Sequence, residues 1–204
     1  MPGSWPRIAF VASTAGSVMD GVLRTSVVRN AVHSFVADRE CPAVDKARAH
    51  GVEAVVLPAA TNEEFCRDLL EYVVERRIDY LLSFYTQFYT EEIRSSLKDR
   101  IINFHPSLLP AFKGMNGFGD GMDYRVKIIG TTVELIKDAM DEGKIVMQTA
   151  LAVDAALSRT EMRHRIFLQQ CRSLIQVVDW IAQDRLEVDG DRVTIRDARF
   201  CGPE

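Results

Sequence analysis

The sequence lacks the cysteine patterns that mark zinc proteins and disulfide-stapled domains. Its four cysteines, Cys41, Cys66, Cys171 and Cys201, are far apart, and none forms a C-x-x-C pair. This spacing excludes the usual zinc motifs, and a chain of 204 residues can bury a core without disulfides. We therefore predict no metal site and a reducing, cytoplasmic environment.

Long apolar runs and an excess of positive charge are also missing. No apolar stretch approaches the roughly 18 residues of a membrane-spanning helix, and the first residues lack the basic and apolar regions of a secretory signal. The formal net charge is −4, whereas nucleic-acid-binding proteins usually carry a basic face. Repeats and low-complexity linkers are absent too. We therefore predict one domain over residues 1–204, with no membrane and no nucleic-acid partner.

What the sequence does contain, in its first half, is an alternation of short apolar runs with helical patterns. The predicted strands are residues 7–13, 31–38, 53–58, 79–85 and 101–105. The predicted helices follow the first strand and then cover residues 41–51, 61–77 and 90–100, with Thr61 and Glu64 forming a capping box. Strands that alternate with helices of this length predict βαβ units and a parallel sheet.

The second half has a different pattern. Residues 127–136 and 144–153 are strand-like, which predicts an antiparallel pair around a loop, KDAMDEG, that is too long for a two-residue hairpin. The glycine-rich segment 115–124 predicts a loop or a weak helix, Ser158 and Glu161 predict the start of a long helix, and Asp189-Gly190 predicts a hairpin. The fold class is therefore α/β: a Rossmann-like, mostly parallel sheet flanked by helices, with an antiparallel C-terminal extension.

The turn after the first strand contains Gly16 and Ser17. One interpretation is that its backbone N–H groups bind an anion of a substrate at the start of a helix. The other is a tight turn in which Ser17 caps that helix. The G-x-G-x-x-G fingerprint is absent, so a dinucleotide site has little support.

The candidate site is the segment IINFHPSLLPAFKG, residues 101–114. Asn103 and His105 are two residues apart on a strand, so both side chains point to the same face. Pro106 has no N–H and ends the regular strand pairing. Open α/β sheets bind ligands beyond the carboxyl ends of their strands, so this Asn and His are candidate site residues. The structural alternative is that both side chains only satisfy backbone groups.

Taken with the run IIGTTVELIKDAMDEGKIVMQ at 128–148 and the early Gly-Ser turn, this segment resembles the folate-dependent formyltransferase superfamily. Length and element order are most similar to its phosphoribosylglycinamide formyltransferase branch. The resemblance covers most of the chain, as far as the end of the long helix. It implies the formyltransferase fold and a role in one-carbon metabolism, specifically in purine biosynthesis for that branch.

The resemblance also implies site residues. The catalytic set would be Asn103, His105 and Asp141, and the formyl donor would be 10-formyltetrahydrofolate. Formyl transfer passes through a tetrahedral oxyanion, which an amide N–H and a histidine can stabilise, while a carboxylate can hold the charge of the imidazole. The folate head group would lie near two loops, on residues Phe84, Tyr85, Thr86, Gln87, Phe88, Lys137, Asp138, Ala139 and Met140.

The sequence departs from the superfamily at Glu134, where relatives usually carry a histidine. Strand periodicity allows Glu134 to face the site, where it could raise the pKa of His105 or bind a cationic amine. The alternative is an exposed carboxylate at a strand end.

Other departures concern the acceptor. Val18 replaces an asparagine that follows the Gly-Ser pair. The segment 61–68 has acidic residues where relatives place a phosphate-binding arginine, although Arg67 is nearby, and residues 83–89 lack a Met-Arg pair. Losing these ligands predicts weaker binding of a ribonucleotide phosphate.

Three functions remain open from the sequence. The first is formyl transfer to a small-molecule amine, either glycinamide ribonucleotide or a different amino compound. The second is hydrolysis of 10-formyltetrahydrofolate, because LPAFKG at 109–114 and VKIIGTT at 126–132 look like the deformylase branch. The third is ligand binding without catalysis. We predict a monomer or homodimer.

Overall fold

A sheet of seven strands forms the centre of the fold in the computed structural model, which describes residues 5–198. Its first five strands are β1 Ile8–Ala12, β2 Val32–Ala37, β3 Glu53–Val56, β4 Tyr80–Phe84 and β5 Ile101–His105. They are parallel, and their order in the sheet is β3-β2-β1-β4-β5. The sequence-predicted strands are therefore confirmed, with bounds that agree to within two residues.

The chain then reverses direction at one edge of this sheet. Strands β6 (Ile128–Leu135) and β7 (Lys144–Ala152) pair antiparallel beside β5. A separate hairpin is formed by β8 (Leu186–Asp189) and β9 (Arg192–Ile195). The predicted α/β class with an antiparallel extension is thus confirmed.

Seven helices connect the strands within the described residues. They are α1 Ser17–Val22, α2 Ser26–Ala31, α3 Pro42–Ala49, α4 Asn62–Arg76, α5 Glu91–Ser96, α6 Gly117–Tyr124 and α7 Arg159–Ala182. In this part of the chain, no helix has the length and hydropathy to cross a membrane.

The structure differs from the prediction in two helical segments and decides between two predicted alternatives in a third. The chain after β1 forms two six-residue helices instead of one, and both pack on α7. Helix α5 stops at Ser96, and Asp99 beyond it has a left-handed backbone with φ 60°. The glycine-rich segment forms a helix, because Phe118 is buried and packs against α7 residues Met162 and Ile166.

The capping predictions are confirmed only in part. At α7, Ser158 and Glu161 form the full capping box. At α4, the Thr61 hydroxyl accepts the Glu64 N–H (3.2 Å), but the Glu64 carboxylate accepts the N–H of Ala60 instead of closing the box. At α1, the interpretation with Ser17 as the cap is wrong: Gly16 occupies the cap position with φ 59° and no side chain caps the helix.

Apolar side chains cover both faces of the sheet. On β1, Ile8 and Phe10 belong to a core cluster that includes α1 and α7, while Ala9 and Val11 belong to the cluster that includes α4 and α5. Cys41, Cys66 and Cys171 are free thiols, and Cys201 lies outside the described residues. Because both faces are covered by helices, only the strand ends are left to form a site.

Candidate active site

A cleft of about 320 Å³ lies at the carboxyl ends of β1, β4 and β5. We call it the cleft throughout. Its lining includes Thr14 after β1, residues 83–89 of β4 and the following loop, residues 103–106 of β5, the segment 114–115, Glu134 and Ile136, residues 139–141, and Arg163 of α7. The cleft thus occupies the position where open α/β sheets bind their ligands.

His105 and Asp141 come together in this cleft from different parts of the chain. The Nδ1 atom of His105 lies 3.3 Å from Oδ1 of Asp141, and both side chains are almost completely buried. On the other side of the ring, Nε2 lies 2.9 Å from the carbonyl oxygen of Phe112. Both ring nitrogens therefore face hydrogen-bond acceptors, which favours the doubly protonated imidazolium.

The charges of this pair follow from its surroundings. Burial lowers the pKa of His105, but hydrogen bonding to Asp141 and Phe112 outweighs burial, and the pKa lies above the ordinary value. Burial raises the pKa of Asp141, but the hydrogen bonds from His105 and from the Gly114 N–H (2.6 Å) outweigh it, and the pKa lies below the ordinary value. The pair is therefore stabilised as imidazolium and carboxylate.

Asn103 faces the same cleft and pairs with Glu134. The two residues are direct neighbours on β5 and β6, and Nδ2 of Asn103 donates to Oε1 of Glu134 at 3.1 Å. Glu134 is 1% exposed, so the alternative of an exposed strand-end carboxylate is wrong. Burial raises the pKa of Glu134 above its ordinary value, although Asn103 and Gly143 donate hydrogen bonds to it.

Asp141 and Phe112, which both contact His105, have backbones with positive φ. Phe112 and Asp141 both lie in the left-handed region, with φ 56° and 57°. Asp tolerates this region better than a bulky aromatic residue does, so Phe112 is the more strained of the two. The strained conformation aims the Phe112 carbonyl at His105 and at the Ser107 hydroxyl. The segment after β5 is therefore built to hold the imidazole.

Gly117, at the start of α6, packs directly on the imidazole. A Cβ atom at this position would stand 2.6 Å from Nε2 of His105 and 2.8 Å from the Phe112 carbonyl oxygen. Only glycine fits here. The sequence showed a glycine-rich segment but did not indicate this contact.

Replacing Gly117 by alanine should therefore push the imidazole away from Phe112. We expect the free energy of unfolding to fall by about 1–3 kcal/mol, because overpacking a buried site forces neighbours to shift. The matched control is Gly121→Ala in the same helix, where a Cβ would make ordinary contacts at 3.6 Å. Chemical denaturation of both variants checks the prediction, and equal stability would contradict it.

The residues predicted for the folate head group divide into two sets. Those that line the cleft are Phe84, Tyr85, Thr86, Gln87, Phe88, Ala139 and Met140. Lys137 and Asp138 do not line it. Lys137 pairs with Asp191 of the hairpin turn at 2.7 Å, and the Asp138 side chain is exposed beside Arg94.

Arg94 is a residue that the sequence did not indicate. Its Nε donates to the carbonyl of Tyr89 (3.0 Å), and its Nη1 donates to the carbonyl of Lys137 (2.8 Å). Its guanidinium also lies 4.7 Å from the ring centre of Phe88. Arg94 therefore joins the loop after β4 to the loop after β6, the two sides of the cleft.

The predicted acceptor loop lies apart from the cleft lining. Gly16 and Ser17 are not among the lining residues, although Thr14 of the same turn is. Val18 is buried in the core, and Arg67 is exposed and pairs with Asp68 at 3.1 Å. Among the described residues, Arg163 is the only arginine or lysine that lines the cleft.

This chain is similar to known proteins over most of its length. A family model described as formyl transferase matches residues 7–178. Phosphoribosylglycinamide formyltransferase of Mycobacterium tuberculosis is 27% identical over 202 residues, which cover 95% of this chain and 93% of that protein. The crystal structure of glycinamide ribonucleotide transformylase 1 from Symbiobacterium toebii has a TM-score of 0.88 and 28% identity, with 96% of each chain covered.

A second group of relatives, the formyltetrahydrofolate deformylases, matches in sequence over a shorter part of this chain. Formyltetrahydrofolate deformylase of Escherichia coli is 32% identical over 111 residues, which cover 54% of this chain and 40% of that protein. The family model, by contrast, spans most of the chain, from β1 into α7. The resemblance predicted from the motifs is confirmed, and this chain belongs to the formyl transferase family.

Proposed function

We propose that this protein transfers a formyl group from 10-formyltetrahydrofolate to the amine of a small-molecule acceptor. The observation that carries this function is the buried contact of 3.3 Å between His105 and Asp141, in a cleft that Asn103 also lines. In the donor, the formyl carbon is bonded to a folate nitrogen. This nitrogen must gain a proton when its bond to the formyl carbon breaks. The buried contact supports the catalytic set of Asn103, His105 and Asp141 that the resemblance implies.

The cleft suits a folate head group in its size and lining. Small-molecule sites are usually clefts of about 300–1,000 Å³ with apolar walls and a few polar groups. The walls here carry Phe84, Tyr85 and Phe88 on one side and Ala139 and Met140 on the other, with Asn103 and His105 beyond them. The loop residues would hold the ring system, and the strand residues would face the formyl group.

Asn103 and His105 have the donors that the reaction needs. An amide has two N–H donors; Asn103 gives one to Glu134, so the second is free for the formyl oxygen. Such a donor contributes roughly 3–4 kcal/mol in comparable sites. His105, held as imidazolium by Asp141, has the proton for the leaving nitrogen. To deliver it, one of its two present contacts must be exchanged for the substrate.

The acceptor is either glycinamide ribonucleotide, as the names of the relatives suggest, or a different amino compound. An acceptor other than glycinamide ribonucleotide is supported by the lack of anion ligands around the cleft. Val18 is buried in the core and Arg67 pairs with Asp68. Among residues 5–198, Arg163 is the one arginine or lysine that lines the cleft. We also propose that the protein works in the cytoplasm, as a monomer or homodimer.

An assay with several acceptors tests the function. The purified protein is mixed with 10-formyltetrahydrofolate and with glycinamide ribonucleotide, amino sugars, amino acids or no amine. Tetrahydrofolate is followed by absorbance and the formylated amine by mass spectrometry. We expect both products to form in equal amounts with one class of acceptor. Absence of turnover with every acceptor would contradict the proposal.

Hydrolysis of the donor is the second candidate, favoured by the similarity to formyltetrahydrofolate deformylase of Escherichia coli. Its signature in the same assay is formate release without any amine. In that case water takes the place of the acceptor at His105 and Asp141.

A further inference from the structure

Glu134 connects the two halves of the site. Its Oε1 accepts the Asn103 amide, and its Oε2 accepts the backbone N–H of Gly143 at 2.8 Å. Gly143 follows Asp141 by two residues in the turn between β6 and β7. A Cβ at Gly143 would stand 2.8 Å from the Glu134 carboxylate, so this glycine makes room for it. One carboxylate therefore contacts both the strand that carries Asn103 and the turn that carries Asp141.

Glu134 also borders two cavities. The first is the cleft, and the second is a groove of about 440 Å³ lined by Leu109, Pro110, Lys113, Glu142, Gly143 and Ile145. We call the second cavity the rear groove. Glu134 and Asp141 line both cavities. Since Lys113, Glu142 and Ile145 are exposed, the rear groove offers a way from Glu134 to solvent that does not pass through the cleft.

The neighbours of Glu134 make it a better proton acceptor than Asp141. Two titratable groups interact with it electrostatically, the imidazolium of His105 and the carboxylate of Asp141, while β7 places Ile145 opposite it. Asp141 is committed to His105 and to the Gly114 N–H, which stabilise its charged form. Glu134 is held by the neutral donors Asn103 and Gly143 in a buried site. Burial raises its pKa towards the range useful for general base catalysis.

We propose that Glu134 is the base that accepts a proton from the ammonium form of the acceptor, and that this proton leaves through the rear groove. The role rests on the proposed function. It also assigns the substrate class: an amine that arrives protonated and is attracted to a site with two carboxylates and one imidazolium.

The proton balance of transfer gives such a group a role when the acceptor arrives as an ammonium ion. An ammonium acceptor loses two protons when it becomes a formamide, and the leaving folate nitrogen gains one. One proton must therefore go to solvent in each cycle. Glu134 takes this proton before the amine attacks the formyl carbon, and the carbon–nitrogen bond to the folate breaks after the new one has formed. The second proton passes to the leaving nitrogen by way of His105.

The test compares Glu134→Gln with the wild type from about pH 6 to above the pKa of the acceptor amine. We expect kcat/KM for the acceptor to fall about 10²–10³-fold at neutral pH, the usual contribution of a general base. The deficit should shrink as the pH rises, because the free amine needs no base. Glu134→Asp should keep the wild-type pH profile at a lower rate. The control is Glu53→Gln. Glu53 lies at the amino end of β3, which is the edge strand on the side of the sheet away from β6 and Glu134.

A readout other than activity is the infrared band of the protonated carboxyl group. The infrared difference spectrum between the wild type and Glu134→Gln should contain one such band. The band should titrate with a pKa above the ordinary value for glutamate. A band that titrates at the ordinary value would overturn the proposal. The proposal would also be overturned if the wild type is active and Glu134→Gln lowers kcat/KM by the same factor at every pH, because a constant factor indicates a structural role. A wild type that transfers to no acceptor would instead refute the proposed function and this role with it.

Discussion

Replacing His105 by alanine should lower kcat for formyl transfer by about a thousandfold. The variant loses both the proton for the leaving nitrogen and a donor to the developing negative charge, and general acid catalysis alone contributes about 10²–10⁴-fold. Binding of the folate should change little, because the loops after β4 and β6 supply the residues proposed to hold its ring system. Steady-state kinetics and fluorescence titration with a folate separate the two effects.

The chain offers a matched control for this variant. His50 also contacts a carboxylate, with Nε2 2.8 Å from Oδ1 of Asp20, but neither residue lines the cleft. We expect His50→Ala to keep the wild-type kcat. If His105→Ala stays within about threefold of the wild type, a loss smaller than general acid catalysis provides, the catalytic role of the imidazole is refuted.

Replacing Asp141 by asparagine should lower kcat by about 10²–10³-fold and shift the pH profile. The carboxylate favours the protonated imidazole, so without it the pKa of His105 falls and the acid form is present only at lower pH. The alkaline limb of the kcat profile should therefore move to lower pH. A loss of this size lies within the 10²–10⁴-fold that general acid catalysis contributes, because the amide no longer holds the imidazole in its acid form.

The same substitution has a pH-dependent effect on stability. The lowered pKa of Asp141 stabilises the folded state above the unfolded value of about 3.9, and this contribution is lost as pH falls through the folded value. The raised pKa of His105 stabilises it below about 6.5, and this contribution is lost as pH rises through the folded value. Both contributions are present between about pH 4 and pH 6.5.

We therefore expect Asp141→Asn to reduce the free energy of unfolding most in that window, by about 2 kcal/mol. The loss should become smaller as the pH rises through the raised pKa of His105, because the imidazolium that pairs with Asp141 is then lost. Denaturation curves at three pH values measure it. A loss that does not vary with pH would show that the pair is not ionised. Asp20→Asn, which changes a carboxylate beside a histidine outside the cleft, is the control.

Local patterns were enough to predict most of the fold. Alternating strands and helices specify a parallel sheet, because a crossover helix is the usual connection between parallel strands. Local patterns left alternatives open, or gave wrong bounds, where tertiary contacts decide the structure. Residues 115–124 contain glycines that disfavour a helix, but burial of Phe118 against α7 stabilises one. Helix α5 is shorter than its pattern indicated, because the chain must turn at Asp99 to enter β5.

For the site, the sequence by itself determined which residue types are present and which strand face carries Asn103 and His105, since side chains alternate along a strand. It also indicated Asp141, through the resemblance. Only the tertiary structure decided that Asp141 meets His105, that Glu134 is buried against Asn103, and that Gly117, Phe112 and Arg94 hold the surroundings in place. These are contacts between segments far apart in the chain. Their geometry is set by how the antiparallel strands and α6 pack on the parallel sheet, and no local pattern contains that information.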